Sequence, residues 1–132
     1  MHHQVFTFGY HCQSIDALHR FVRATGAVLV DVRYQPVSRL ATWSKGNLAR
    51  RFGDAYLHQP GLGNIRYRMG PPIEFADLDA GMVKLLDLVN ADRVTIVMCA
   101  CASSRMCHRA AVAAELRERG IESRELLLGS DL

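Results

Sequence analysis

The sequence has no apolar run approaching the roughly 18 to 20 residues that a membrane-spanning helix requires, so no membrane partner is expected. The segment Met1-His-His-Gln-Val5 lacks a basic stretch followed by an apolar one, so no secretory signal is read there. These two absences predict a cytoplasmic protein. Charge of one sign is also scarce. A net charge of +3 permits an anionic ligand but falls short of the dense basic patch of a dedicated nucleic-acid binder. Repeats, low-complexity tracts and linkers are missing, and 132 residues suit one domain with a real core. With 49% apolar and 22% charged residues the chain reads as globular rather than disordered. His2 and His3 are given no role. Nor are the cysteines spread in pairs, as a disulfide framework would need. They fall at Cys12 and then at Cys99, Cys101 and Cys107, a clustering that in a cytoplasmic protein points to metal binding or thiol chemistry.

What is present is an alternation of strands and helices. Val5–Gly9 reads as a first strand. Ser14 suits an N-cap, Ile15, Leu18, Phe21 and Val22 mark one helical face, and Gly26 fits the stop. Ala27–Arg33 is a continuous apolar run of the kind buried on both faces of a parallel sheet, with Asp31 and Arg33 two apart and therefore on one side. Ser44 is placed as the cap of a short helix carrying Leu48 and Phe52, with Arg50 and Arg51 on its wetter side and Gly53 closing it. Ala55–His58 is a short third strand, followed by an irregular, glycine-bearing segment to Pro72. Phe75, Leu78, Met82, Leu85, Leu86 and Val89 keep helical spacing over four turns. Arg93–Met98 is the best strand, Cys107–Arg119 the helix after it, and Ile121–Leu128 an edge-like last strand. The fold class expected is α/β: one mostly parallel five-stranded sheet flanked by helices.

Ligands of such sheets bind at the C-terminal ends of the strands. Gly9-Tyr10, Asp31-Val-Arg33, Gly61-Asn64 and Cys99–Arg109 should converge there. The candidate catalytic residues are Cys99, Cys107, His108 and Asp31. The candidate substrate-binding residues are Gly9, Tyr10, Arg33, Ser38, Arg39, Gly63, Arg105 and Arg109.

Thr7-x-Gly9-Tyr10, Asp31-Val-Arg33-x-x-Pro36-x-Ser38-Arg39, Leu62-Gly63, and Cys99 followed eight residues later by Cys107-His108-Arg109 resemble domain-of-unknown-function family 488. The motifs span almost the whole chain in the family's order. The resemblance implies a compact cytoplasmic α/β domain without a settled activity. The family usually carries a glutamate two residues after its first cysteine. This chain has Cys101 there, so a role for that carboxylate does not carry over.

Several chemistries fit these residues. Cys107, near a helix N-terminus and beside Arg105, His108 and Arg109, would be favoured as thiolate. Cys99 to Arg105 has the Cys-x5-Arg spacing of cysteine phosphatases, in which loop amides and an arginine hold a phosphate. Met106 replaces the usual hydroxyl residue there, and the loop has no glycine. The Asp-x-Arg strand with a later strand-cysteine-loop-helix is similar to rhodanese-like sulfurtransferases. Cys99, Cys101, Cys107 and His108 could form a tetrahedral zinc set, but adjacent Cys107 and His108 aim poorly at one ion, and no cofactor is assigned. Binding without catalysis is a further reading. Arg33, Arg39, Arg105 and Arg109 would hold a nucleotide, phosphate or nucleic acid, with Tyr10, Tyr34 and Trp43 stacking on a base. Plainer roles stand beside these: Cys99 and Cys101 as small buried hydrophobes, and Asp31 and Arg33 as a stabilising ion pair with Arg109 or His108. The preferred expectation is an enzyme acting on a small anionic or nucleotide-like substrate. Arg33 and Arg109 bind the anion, a cysteine is nucleophile or redox group, His108 transfers protons and Asp31 orients Arg33 or His108.

Overall fold

A computed structural model describes residues 4–11, 13–36, 38, 40–67, 69, 72–100 and 108–129. Its elements are β1 (Val5–Gly9), α1 (Ile15–Thr25), β2 (Val28–Asp31), α2 (Lys45–Phe52), β3 (Tyr56–His58), α3 (Leu78–Asn90), β4 (Thr95–Cys99), α4 (His108–Glu118) and β5 (Arg124–Glu125). All the strand pairings are parallel, and the five strands lie in the order β3-β2-β4-β1-β5. This is the expected α/β fold. Among the described residues no helix is long and apolar enough to cross a membrane.

Alternation along the strands divides the core into two layers. Val5, Val28, Val30, Val32, Val97 and Cys99 pack on the side of α3 and α4, with Met82, Leu85, Val112 and Leu116. Phe8, Leu29, Ile96 and Met98 pack on the side of α1 and α2, with Leu18, Val22, Leu48 and Phe52. The strands of β1, β2 and β4 are buried on both faces, which explains their unbroken apolar runs.

Local signals set the helix ends. The Ser14 hydroxyl accepts from the Ala17 amide at 3.0 Å, and Gly26 closes α1 at φ +70°, in the left-handed region that glycine tolerates. Four expectations are corrected. Phe75 does not belong to α3: Asp77 caps the helix by accepting from the Ala80 amide at 3.2 Å, and Phe75 instead bridges to Asn64. Ser44 stands before α2 without capping it, because its hydroxyl donates to the Ala41 carbonyl at 2.7 Å, closing the preceding 3-10 turn. The fourth strand runs from Thr95 to Cys99 rather than from Arg93 to Met98. The last strand shrinks to two residues, since the neighbouring amides are satisfied elsewhere: Ile121 donates to the Leu116 carbonyl, and Leu128 and Gly129 donate to the Gln13 side chain.

Candidate functional site

The C-terminal ends of the strands carry two polar clusters, one on each face of the sheet. The first grows from β2. Asp31 and Arg33 project to the α1/α2 side, and Arg33 folds back on Asp31 in a two-pronged ion pair, Nε to Oδ1 at 2.8 Å and Nη2 to Oδ2 at 2.7 Å. Asp31 is fully buried and Arg33 is 7% exposed. Tyr56, from the edge strand β3, donates its hydroxyl to Asp31 Oδ2 at 2.7 Å. Arg33 Nη1 reaches the Tyr10 hydroxyl at 3.4 Å, and its guanidinium carbon lies 5.3 Å from the centre of the Tyr10 ring. That ring stacks on Trp43 at 4.9 Å. His58 Nε2 lies 2.8 Å from the Arg33 carbonyl, to which it donates, so the backbone beyond β2 is held as well. Burial opposes the Arg33 charge, but the Asp31 hydrogen bonds and charge outweigh it, and the guanidinium pKa is raised. Burial, and next the charge of Asp31, push the Tyr56 phenol far above its ordinary range.

The second cluster lies on the α3/α4 side. Cys99 is 2% exposed at the end of the central strand β4, and Arg109, on the first turn of α4, is fully buried. Arg109 Nη1 stands 3.5 Å from Cys99 Sγ, and Nη2 donates to Glu125 Oε1 at 2.8 Å. Register explains this reach. Glu125 aligns with Thr7, and Thr7 with Val97, so Glu125 and Cys99 fall on one face of the sheet across β1. Gly9 aligns with Cys99. Burial opposes the Arg109 charge, and its bonds to Cys99 and Glu125 outweigh this, raising its pKa. His108 donates from Nε2 to the Leu62 carbonyl. Burial lowers its pKa, against the smaller opposing effects of that carbonyl and of the Asp31 charge, so the ring favours its neutral form.

The two clusters are stitched together. The Tyr10 amide donates to the Cys99 carbonyl at 3.0 Å, and the Val32 amide to the Met98 carbonyl at 3.1 Å. Gly63 lies so close to the turn after Arg33 that a Cβ there would sit 2.5 Å from Tyr34 Cα. Gly9-Tyr10, Asp31–Arg33, Leu62-Gly63 and Cys99 with His108-Arg109 therefore meet at one edge.

Within that meeting the residues sort differently from the sequence expectation. Asp31 pairs with Arg33 itself, not with Arg109 or His108. The carboxylate on Arg109 is Glu125, which the sequence marked only as an edge-strand charge. Tyr10 and Trp43 are buried against each other, so they are not an open stacking platform, while Tyr34 is exposed. Ser38 Oγ accepts from the Leu40 amide at 3.1 Å and so holds its own turn. Cys107, Arg105, Arg39, Cys12 and Cys101 lie outside the described residues, and with them most of the phosphatase and zinc sets. Among the described residues no three His, Cys, Asp or Glu side chains gather for a metal.

Sequence reading missed Tyr56, His58 and the Leu62 carbonyl. Tyr56 and His58 stand two apart in β3, the same period-two signal that paired Asp31 with Arg33. A carbonyl partner has no sequence signal. Neither the models of known protein families nor the curated proteins give a match to this chain.

Proposed function

We propose that this chain is a thiol-dependent enzyme of the family 488 type, acting on a small anionic or nucleotide-like substrate at the carboxyl edge of its sheet. The observation that carries the reading is the 3.5 Å contact between Cys99 Sγ and the Arg109 guanidinium at the end of the central strand. A nucleophilic or redox role needs a sulfur beside a group that can accommodate negative charge, and the buried guanidinium stands there. The neutral imidazole of His108 adds a proton acceptor. With Nε2–H given to Leu62, the acceptor is Nδ1. In this reading Arg109 positions the sulfur rather than gripping the substrate, and Asp31 presents Arg33, whose Nη1 has the longest of its side-chain bonds. Cys107 is carried from the sequence as the second thiol. A cytoplasmic location belongs to the same proposal.

A second reading, a non-catalytic phosphate, nucleotide or nucleic-acid binding module, is favoured by one observation. Both described site arginines already hold carboxylates, as scaffold residues do. One experiment separates the two. A panel of phosphomonoesters, nucleotides and activated thiol substrates is screened for turnover and, in parallel, for binding by calorimetry. The enzyme reading expects a substrate whose turnover disappears in Cys99→Ser/Cys107→Ser while binding persists. Unchanged turnover in that variant rules out the thiol mechanism, and tight nucleotide binding with no turnover anywhere in the panel establishes the binding module.

A further inference from the structure

The net charge of the chain conceals a segregation. The outer surface formed by α1, α2 and the turn before β4 exposes Arg20, Arg23, Lys45, Arg50, Arg51 and Arg93. Against them stand Asp16, Asp54 and Asp92, and Asp16 is itself bonded to Arg51. The opposite helices and their ends reverse the balance: Asp77, Asp79, Asp87, Glu115 and Glu118 are exposed or half-exposed there against Lys84, Arg117 and Arg119. α1 and α2 are locked side by side by the Arg51–Asp16 pair and by the His19 and Phe52 rings, 5.3 Å apart, so their charges form one continuous field.

We infer that this α1/α2 surface binds the phosphate backbone of a double-stranded nucleic acid, at a place separate from the thiol site. Two clefts open along the seam between the helices, one at each end of α1. The first, of about 400 Å³, is lined by His19, Arg23, Asp54 and Arg93 among others. The second, of about 390 Å³, is lined by Ile15, Thr42, Asn47, Arg50 and Arg51. Each thus offers two guanidinium groups, whose planar forks match phosphate oxygens. α1 is about 16 Å long at 1.5 Å per residue, and over that length a duplex presents about nine charges. The Arg51–Asp16 pair is exposed and holds its arginine weakly, so a phosphate competes for it readily.

Two features select a duplex. None of the exposed large hydrophobic residues described belongs to α1 or α2, so the surface lacks the apolar stripe with which a helix enters a membrane. Nor is there an exposed aromatic on it for stacking unpaired bases: Phe52 is buried, and Phe21 packs edge-on against Phe6 at 5.4 Å. What remains is charge, and Gly46, Ala24 and Ala49 between the basic residues are small enough to let a backbone approach.

The test measures fluorescence anisotropy of a labelled mixed-sequence duplex of about 20 base pairs against the full chain. Affinity should fall about a hundredfold from 50 to 200 mM salt, as counterion release by about four contacts requires. Arg20→Glu/Arg23→Glu/Arg50→Glu should weaken binding at least about tenfold and reduce the salt slope by about one per arginine. Lys84→Glu/Arg117→Glu/Arg119→Glu, which changes net charge equally on the other face, should leave affinity within about twofold. A glutamine version of the first set, with circular dichroism and melting on all variants, separates lost binding from lost folding. No duplex binding at 50 mM salt overturns the inference. So does equal loss in both charge-reversal sets, tighter binding of the matching single strand, or preference for phosphatidylserine vesicles over the duplex.

Discussion

The two faces of one sheet edge handle buried charge differently. On the α1/α2 side, Asp31 and Arg33 neutralise each other, Tyr56 and Tyr10 complete their hydrogen bonding, and Trp43 closes over Tyr10. On the α3/α4 side, a fully buried guanidinium divides itself between a sulfur and a half-exposed carboxylate. The first arrangement is closed around rigid partners and suits a scaffold. The second sets a sulfur beside a fixed positive charge, and the residue before that arginine, His108, is an imidazole biased to neutrality. On the proposed thiol reading, the chemistry belongs to the second face and the rigidity that supports it to the first.

The comparison breaks most visibly at Asp31. Asp31→Asn removes the carboxylate and leaves Arg33 buried without its counter-charge, an expected loss of about 3 to 5 kcal/mol in urea unfolding. Asp31→Leu/Arg33→Met, which removes both charges, should recover most of that loss. If the double variant is as unstable as the single one, the pair is not the closed scaffold described.

Gly63→Ala comes next. Its Cβ would press on Tyr34 backbone atoms at 2.5 and 2.7 Å, and backbone cannot swing aside. A cost of about 1 to 3 kcal/mol is expected. Because Leu62 carries the carbonyl that holds His108, imidazole resonances should move with it in NMR spectra. Glu125→Gln should cost less, about 1 to 2 kcal/mol, as Arg109 loses a charge-assisted bond at a half-exposed partner. It should also alter the alkylation rate of Cys99 in an intact-mass assay, where Asp31→Leu/Arg33→Met should not. An equal change in both would erase the distinction between the faces.

The smallest effect is in pH. The folded His108 pKa lies below the ordinary value near 6.5, so between that value and the folded one the unfolded chain binds more protons. Stability from this residue is therefore full above about pH 6.5 and declines as pH falls below it. His108→Gln, which keeps a donor for Leu62, should flatten the acid limb of a plot of urea midpoint against pH. An unaltered limb would assign the decline to other groups.

Much of the frame was legible because its causes are local. Ser14 and Gly26 bound α1 through contacts within a few residues, and β1, β2 and β4 declare double-sided burial in their apolar runs. The spacing of Asp31 and Arg33 put them on one side. What each would bind was not legible, because the competing partners were separated only by strand order, and that order is a non-local property. The placement of β4 between β1 and β2 brings Cys99 beside Gly9 and sets Glu125 across β1 from it. No pattern within β4 or β5 specifies that. The overlong α3 and last strand fail for a related reason. Periodicity extends past the points where Asp77 and Gln13 capture backbone amides.

The reach of Arg109 to Glu125 has one more consequence. β5 is a two-residue strand hydrogen-bonded on one side only, the kind of element that opens first in local unfolding. Each such opening takes a carboxylate away from the guanidinium that faces Cys99. The guanidinium then turns more of its field on the sulfur, or loses its seat beside it. Transient fraying at the sheet's margin is thereby converted into a change at its centre, and the labelling kinetics of one buried thiol become a clock for the motion of an edge it does not touch.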